Sequence, residues 1–171
     1  MNKYIDTKID GFQLKFADRE NIPHILSFIK GMAVYEKLAH EFAATEELLE
    51  EHLFGEGKSA EVIIGYFEEK PVSMALFYKS FSTFLAKPGI YLEDLFVIEE
   101  MRGKGFGKAM LSYLAVLTEE RNFGRLEWSV LDWNKPAVEF YRSIGAEPMK
   151  GWTIQRMAGQ ALSDLGKYAA D

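Results

Sequence analysis

Apolar positions along this chain recur at two spacings, and the places where the spacing changes mark its elements. Phe12-Gln13-Leu14-Lys15-Phe16 alternates and predicts a first strand. Asp18 then reads as an N-cap, and Ile22, Ile25, Leu26, Ile29 and Ala33 follow at helical spacing, with Gly31 inviting a kink. Thr45-Glu46-Glu47-Leu48 has the capping chemistry of a second, acidic helix running to about Phe54. Ala60 to Phe67 and Val72 to about Phe84 read as two antiparallel strands joined by a turn over Glu68-Glu69-Lys70-Pro71, and Ile90 to Ile98 as another strand. Phe106, Met110, Tyr113, Leu114 and Leu117 share one helical face. Leu126 to Leu131 predicts a strand, Asn134 caps a short helix ending at Gly145, and Trp152 to Met157 predicts a last strand before a weak helix or tail. The order βααβββαβαβ is that of a mixed α/β layer rather than a strict βαβ repeat.

Composition narrows the class. At 171 residues and 48% hydrophobic, the chain has material for one core, so the expectation is a polar leader over 1–11 and a single domain over 12–171. A net charge of −6 argues against nucleic acid, which needs a basic face, and suits a small cationic partner. Without cysteine there is no disulfide, thiolate metal site or cysteinyl intermediate, and His24, His40 and His52 lie too far apart for a paired-histidine metal motif, so no metal is expected. Absence of a signal-like apolar segment or a membrane-length apolar run predicts a cytoplasmic protein with no membrane partner. Glu41, Glu46, Glu47, Glu50, Glu51, Glu56 and Glu61, offset by Lys58, read first as a solvated face and second as a field that draws cations.

The stretch with most chemical content runs from Ile90-Tyr91-Leu92-Glu93-Asp94-Leu95-Phe96-Val97 into Arg102-Gly103-Lys104-Gly105-Phe106-Gly107-Lys108 and then a helix. Glycines between a strand and a helix let several backbone N–H groups turn into one concavity, where they and the helix N-terminus attract phosphate oxygens. The commoner phosphate loops do not fit. Gly103, Gly105 and Gly107 are spaced GxGxG rather than GxGxxG, and Ala109 stands where a P-loop needs Ser or Thr.

Arg102, Gly105 and Gly107 match Arg/Gln-x-x-Gly-x-Gly/Ala, and Asn134-Lys135-Pro136-Ala137, Phe140-Tyr141 and Gly145-Ala146 follow at a second motif. On these residues the chain resembles the GNAT acyl-CoA N-acyltransferase superfamily. The strings from Lys30 to Tyr35-Glu36, Tyr91-Leu92-Glu93-Asp94 and Trp133-Asn134-x-Pro136 more narrowly resemble its diamine (spermidine/spermine) acetyltransferase branch, over Phe12 to about Met157. The resemblance implies a central, mostly antiparallel, splayed sheet flanked by helices, with acetyl-CoA as co-substrate and a small polyamine- or diamine-like primary amine as acceptor. Direct transfer in a ternary complex and a homodimer are implied as well. It implies cofactor contacts from Leu95, Phe96 and Val97, from Arg102, Gly103, Lys104, Gly105, Phe106, Gly107 and Lys108, and from Asn134 and Ala137. Tyr141 is implied as general acid, Glu93 as base or amine anchor, and Tyr35 and Glu36 as amine contacts.

The chemistry gives these assignments physical content. An aliphatic amine with pKa near ~10.4 is neutral in about one part in a few thousand at pH 7, so removing its proton costs roughly 4–5 kcal/mol and a nearby carboxylate helps. Asp94 lies on the opposite face from Glu93 in a regular strand and reads as structural unless a bulge re-aims it. Lys150, before Gly151-Trp152, departs from the acidic residues of the polyamine branch and leaves lysine analogues, aminoglycosides and protein amines open as acceptors. A non-catalytic acyl-CoA-binding regulator is the alternative from another class. The aromatic-rich Phe77, Tyr78, Phe81 and Phe84 form the expected contact surface of a dimer.

Overall fold

A computed structural model describes residues 3–169, and the chain divides into two compact units, Met1–Ser129 and Val130–Asp171. The first unit holds a six-stranded sheet in sequential order: β1 (Ile5–Asp6), β2 (Phe12–Phe16), β3 (Glu61–Phe67), β4 (Lys70–Ser82), β5 (Lys87–Val97) and β6 (Leu126–Trp128). All neighbours are antiparallel except β5 and β6, which run parallel. Among the described residues, three α-helices accompany it: α1 (Ile22–Tyr35), α2 (Glu46–Leu49), continued by a π-helical turn over Glu50–Phe54, and α3 (Phe106–Glu120). The polar leader thus contains a short strand, because Ile5 and Asp6 pair with Leu14 and Gln13.

Each face of the sheet buries its own helices. On the first, Ile22, Ile25 and Phe28 of α1 and Leu49 and Leu53 of the acidic helix meet Val62, Ile64, Tyr66, Met74 and Phe96. Gly31 does not kink α1, which runs unbroken. A Cβ there would lie 2.9 Å from Phe96 Cζ, so glycine serves close packing of helix on sheet. On the second face Phe106 of α3 stacks on Phe12 at 4.1 Å and lies 5.2 Å from Phe67, and Met110, Leu114 and Leu117 continue the buried stripe. Phe77, expected at a dimer contact, is instead fully buried, because it lies opposite Leu92 on this inner face, while Phe84 at the hairpin tip is 95% exposed.

Turn chemistry sets two boundaries. Glu68 and Glu69 both adopt positive φ (48° and 66°), so the β3–β4 connection is a tight two-residue hairpin and β4 starts at Lys70, ahead of the expected Val72. The π turn after α2 is closed by Gly55, whose N–H donates to the Glu51 carbonyl at 3.1 Å.

The second unit contains α4 (Lys135–Ser143), capped by the Asn134 side chain, and α5 (Gly159–Gly166). The strand expected over Trp152–Met157 does not form. Alternation specifies a strand only when a neighbour supplies its hydrogen bonds, and this segment pairs with no strand among the described residues, leaving Trp152 and Ile154 76% and 72% exposed. Likewise β6 ends at Trp128, short of Leu131.

Candidate active site

β5 carries the centre of the site, and one irregularity in it decides which side chains meet. Leu76 of β4 lies opposite Asp94 and the next residue, Phe77, lies opposite Leu92, so Glu93 is the extra residue of a β-bulge. Cross-strand partners share a face. Leu92 therefore joins Phe77 on the α3 side, whereas Asp94 joins Leu76 and, two residues on, Phe96 on the α1 side. The bulge re-aims Asp94.

On that α1 face the carboxylates gather. Glu36 caps the C-terminus of α1, and its half-burial there raises its pKa. Asp94 is raised further, to about 7, by burial first and then by the charges of Glu93 and Glu36. Glu93 itself is exposed on the bulge. Tyr78 and Tyr91 stand beside these acids with ring centroids 5.1 Å apart, and the Tyr91 hydroxyl shares a 2.6 Å hydrogen bond with Ser129 Oγ. Burial and then the charge of Glu93 raise the Tyr78 hydroxyl's pKa. The result is a cluster of acids beside two stacked aromatic rings, a combination suited to an ammonium group.

The same stretch of β5 loses its second neighbour. Pairing with β6 covers Ile90, Tyr91 and Leu92 and stops there, so from Glu93 to Val97 that edge of β5 has no strand partner among the described residues. Backbone donors and acceptors on such an edge are available to an extended ligand carrying amides. Beyond it, Gly103 and Gly105 take φ values of 76° and 85°, and α3 begins at Phe106 with its first-turn amides, including those of Gly107 and Lys108, lacking intrahelical acceptors. A Cβ at Gly103 would meet nothing within 4 Å, so the loop is open, while one at Gly107 would touch Leu95 and Val97 at 3.9 Å. This geometry fits the diphosphate and pantetheine of an acyl-CoA.

Two expected cofactor side chains do other work. Phe106 is 2% exposed and anchors α3 in the core, leaving only its backbone to serve a ligand. Arg102 donates from Nε to the Val97 carbonyl at 3.0 Å and lays its guanidinium over the Tyr35 ring at 4.5 Å, so it ties the glycine loop to the end of α1. Lys104 lies over the Phe67 ring at 5.5 Å. In the second unit the Asn134 side chain accepts from the Ala137 amide at 3.4 Å, and Tyr141 is half-buried with its ring 5.3 Å from Phe140.

Glu61 of the acidic stretch is held by Arg121 in a two-pronged ion pair, and the remaining glutamates of the stretch are exposed. Among the described residues no group of three or more His, Asp or Glu is placed to hold a metal ion, and no helix is long and apolar enough to cross a membrane.

Tyr78, Tyr91 and the true facing of Asp94 were not evident in the sequence pattern. The signal that could have found Asp94 is its place in the row Ile90, Leu92, Asp94, Phe96, Ile98, where an acid interrupts an apolar series. That row is continuous in the sequence but changes face at the bulge.

Comparison with known proteins agrees with this geometry. L-ornithine N5-acetyltransferase of Arabidopsis thaliana is 30% identical, over 91% of this chain and 88% of its own. Thialysine N-epsilon-acetyltransferase of Bos taurus is 33% identical, over 83% and 89%, as the diamine-branch resemblance leads one to expect. Among solved structures, an integron cassette protein from the mobile metagenome of V. cholerae superposes with a TM-score of 0.78 at 27% identity, covering 92% of this chain and 98% of that one. Residues 30–146 match the model of the acetyltransferase (GNAT) family, which uses acetyl-CoA as co-substrate. The chain therefore belongs to the GNAT family and is an acetyltransferase.

Proposed function

We propose that the protein transfers the acetyl group of acetyl-CoA to the primary amine of a small cationic acceptor, by direct transfer in a ternary complex. The observation that supports this most is the gathering of Glu36, Glu93 and Asp94 on one face, at the point where β6 leaves β5. The relatives named for L-ornithine and thialysine support an acceptor with an amine at the end of a short aliphatic chain.

Residue roles follow from charge and place. Glu36 and Glu93 attract the ammonium. Asp94, held near half-ionisation at neutral pH, regains its charge as the cation arrives and accepts its proton, directly or through water. The amine then attacks the thioester carbonyl that acetyl-CoA supplies, and β5 amides around Leu95–Val97 stabilise the charge on that oxygen. Tyr141 supplies a hydrogen bond or proton to the departing sulfur. Holding both reactants in line lowers the entropic part of the barrier.

The test is thiol release from acetyl-CoA over a panel of putrescine, spermidine, L-ornithine and thialysine. Turnover of at least one, saturating with both substrates, is the expected result. Thermal stabilisation by CoA with no turnover on any amine would instead make the protein a regulator. Within this reading Tyr141→Phe lowers kcat about a hundredfold, in the range of general acid catalysis, and leaves CoA affinity nearly intact. Unchanged kcat would remove Tyr141 from the reaction.

A further inference from the structure

We infer that Arg125 and Glu127 on β6 hold the α-amino-acid end of the acceptor, so that the protein takes a basic amino acid in preference to a plain diamine. This rests on the acetyltransferase reading above and names the substrate class for that site.

The register of β6 carries the argument. Tyr91 lies opposite Glu127, and the Arg125 carbonyl accepts from the Ile90 amide at 3.0 Å. A Cβ on Gly89 would lie 3.1 Å from Arg125 Cγ. Both side chains thus stand on the face that bears Tyr78, Tyr91 and Asp94. Gly89 leaves room for the Arg125 stem there. Arg125 Nε meets Glu127 Oε2 at 2.6 Å, with the two side chains 37% and 32% exposed. The terminal guanidinium nitrogens of Arg125 carry no hydrogen bond among the described residues.

This pair is complementary to a zwitterion. The guanidinium fork matches an α-carboxylate and Glu127 matches an α-ammonium. A zwitterionic head replaces one ion pair by two and leaves no charge unpaired. The distal ammonium of a diamine satisfies Glu127 only by taking it from Arg125, which is then left without a partner.

The spacing also agrees. Glu127 lies level with Tyr91, and Tyr91 and Asp94 face Tyr78 and Leu76, two residues apart on β4, which is about 6–7 Å along a strand. An extended ornithine or lysine side chain spans about 5–6 Å from Cα to its terminal nitrogen. Beside Glu127 stands Tyr91, whose hydroxyl is fixed by Ser129 and whose ring offers an apolar surface to the start of the methylene chain.

L-ornithine and putrescine separate the possibilities, because they share the aliphatic chain and reacting amine and differ by the carboxylate. The full chain is expected to favour L-ornithine in kcat/KM by tenfold or more. Arg125→Gln lowers the ratio of L-ornithine to putrescine at least tenfold, mainly through the KM for L-ornithine, and Arg125→Lys restores part of it. Calorimetric CoA binding verifies that each variant is folded. A ratio within twofold of wild type in Arg125→Gln, or a wild-type preference for putrescine, overturns the inference. Turnover of spermidine alone overturns it while keeping the acetyltransferase reading, and CoA binding with no amine turned over removes both.

Discussion

Asp94→Asn lowers kcat/KM for the amine about a hundredfold or more at pH 8, yet raises the melting temperature of the free protein at that pH. Both effects come from one group. The Asp94 carboxyl has a pKa of about 7, so it is mostly neutral at pH 6 and mostly ionised at pH 8. If its ionised form receives the proton of a bound ammonium, kcat/KM rises with pH through about 7 and then levels. The asparagine variant loses that inflection along with a general-base contribution of order 10²–10⁴.

The stability effect has the opposite sign. The folded-state pKa lies above the unfolded value of 3.8, so the fold disfavours the ionised carboxyl. The stability associated with this group is fully present below pH 3.8 and is lost as pH rises through about 7. Asparagine does not ionise, so the variant keeps at pH 8 what the native chain has lost, and the difference between the two narrows toward pH 4. Melting curves and amine kinetics across pH 4–9 check both halves. A kinetic inflection near 7 that survives in the variant would assign the proton to another group.

Phe106→Ala destabilises the fold by about 3–5 kcal/mol and weakens CoA binding in the variant that remains folded. Phe106 is the first residue of α3 and is buried against Phe12 and Phe67, so it fixes both the start of the helix and the direction of its free amides. Truncation leaves a cavity at the helix end, and the glycine loop over Gly103–Gly105 loses its anchor. At about 2–4 °C per kcal/mol for a chain of this size, the melting temperature falls by roughly 10 °C. Thermal melts with and without CoA measure both effects. A variant that melts lower but binds CoA with native affinity would show that the loop holds its shape without this anchor.

Much of the local structure was legible because it rests on local physics. Asp18 caps the turn before α1 and Thr45 caps α2 through the Leu48 amide, as their positions ahead of apolar helical spacing predict. The strand–glycine–helix order over Ile90–Leu117 likewise depends on short-range backbone freedom and periodicity. Misreadings arose where a neighbour decides. Phe77 reads as a candidate surface aromatic until its place opposite Leu92 buries it, and Trp152–Met157 alternates like a strand but pairs with no strand among the described residues.

The site divides along the same line. The sequence by itself determined the family, the glycine loop, Glu36 as an acid at a helix end, Glu93 and Asp94 as acids in the strand before that loop, and the cap at Asn134. These are properties of residue type and short spacing. Only the tertiary structure decided that Asp94 lies on the α1 face, that Arg102 lies on Tyr35, and that Arg125 and Glu127 share a face with Tyr91. A strand's alternation specifies a face only relative to its neighbours, and one inserted residue reverses it. Where a bulge falls is settled by the pairing of β4 with β5, which no local spacing encodes.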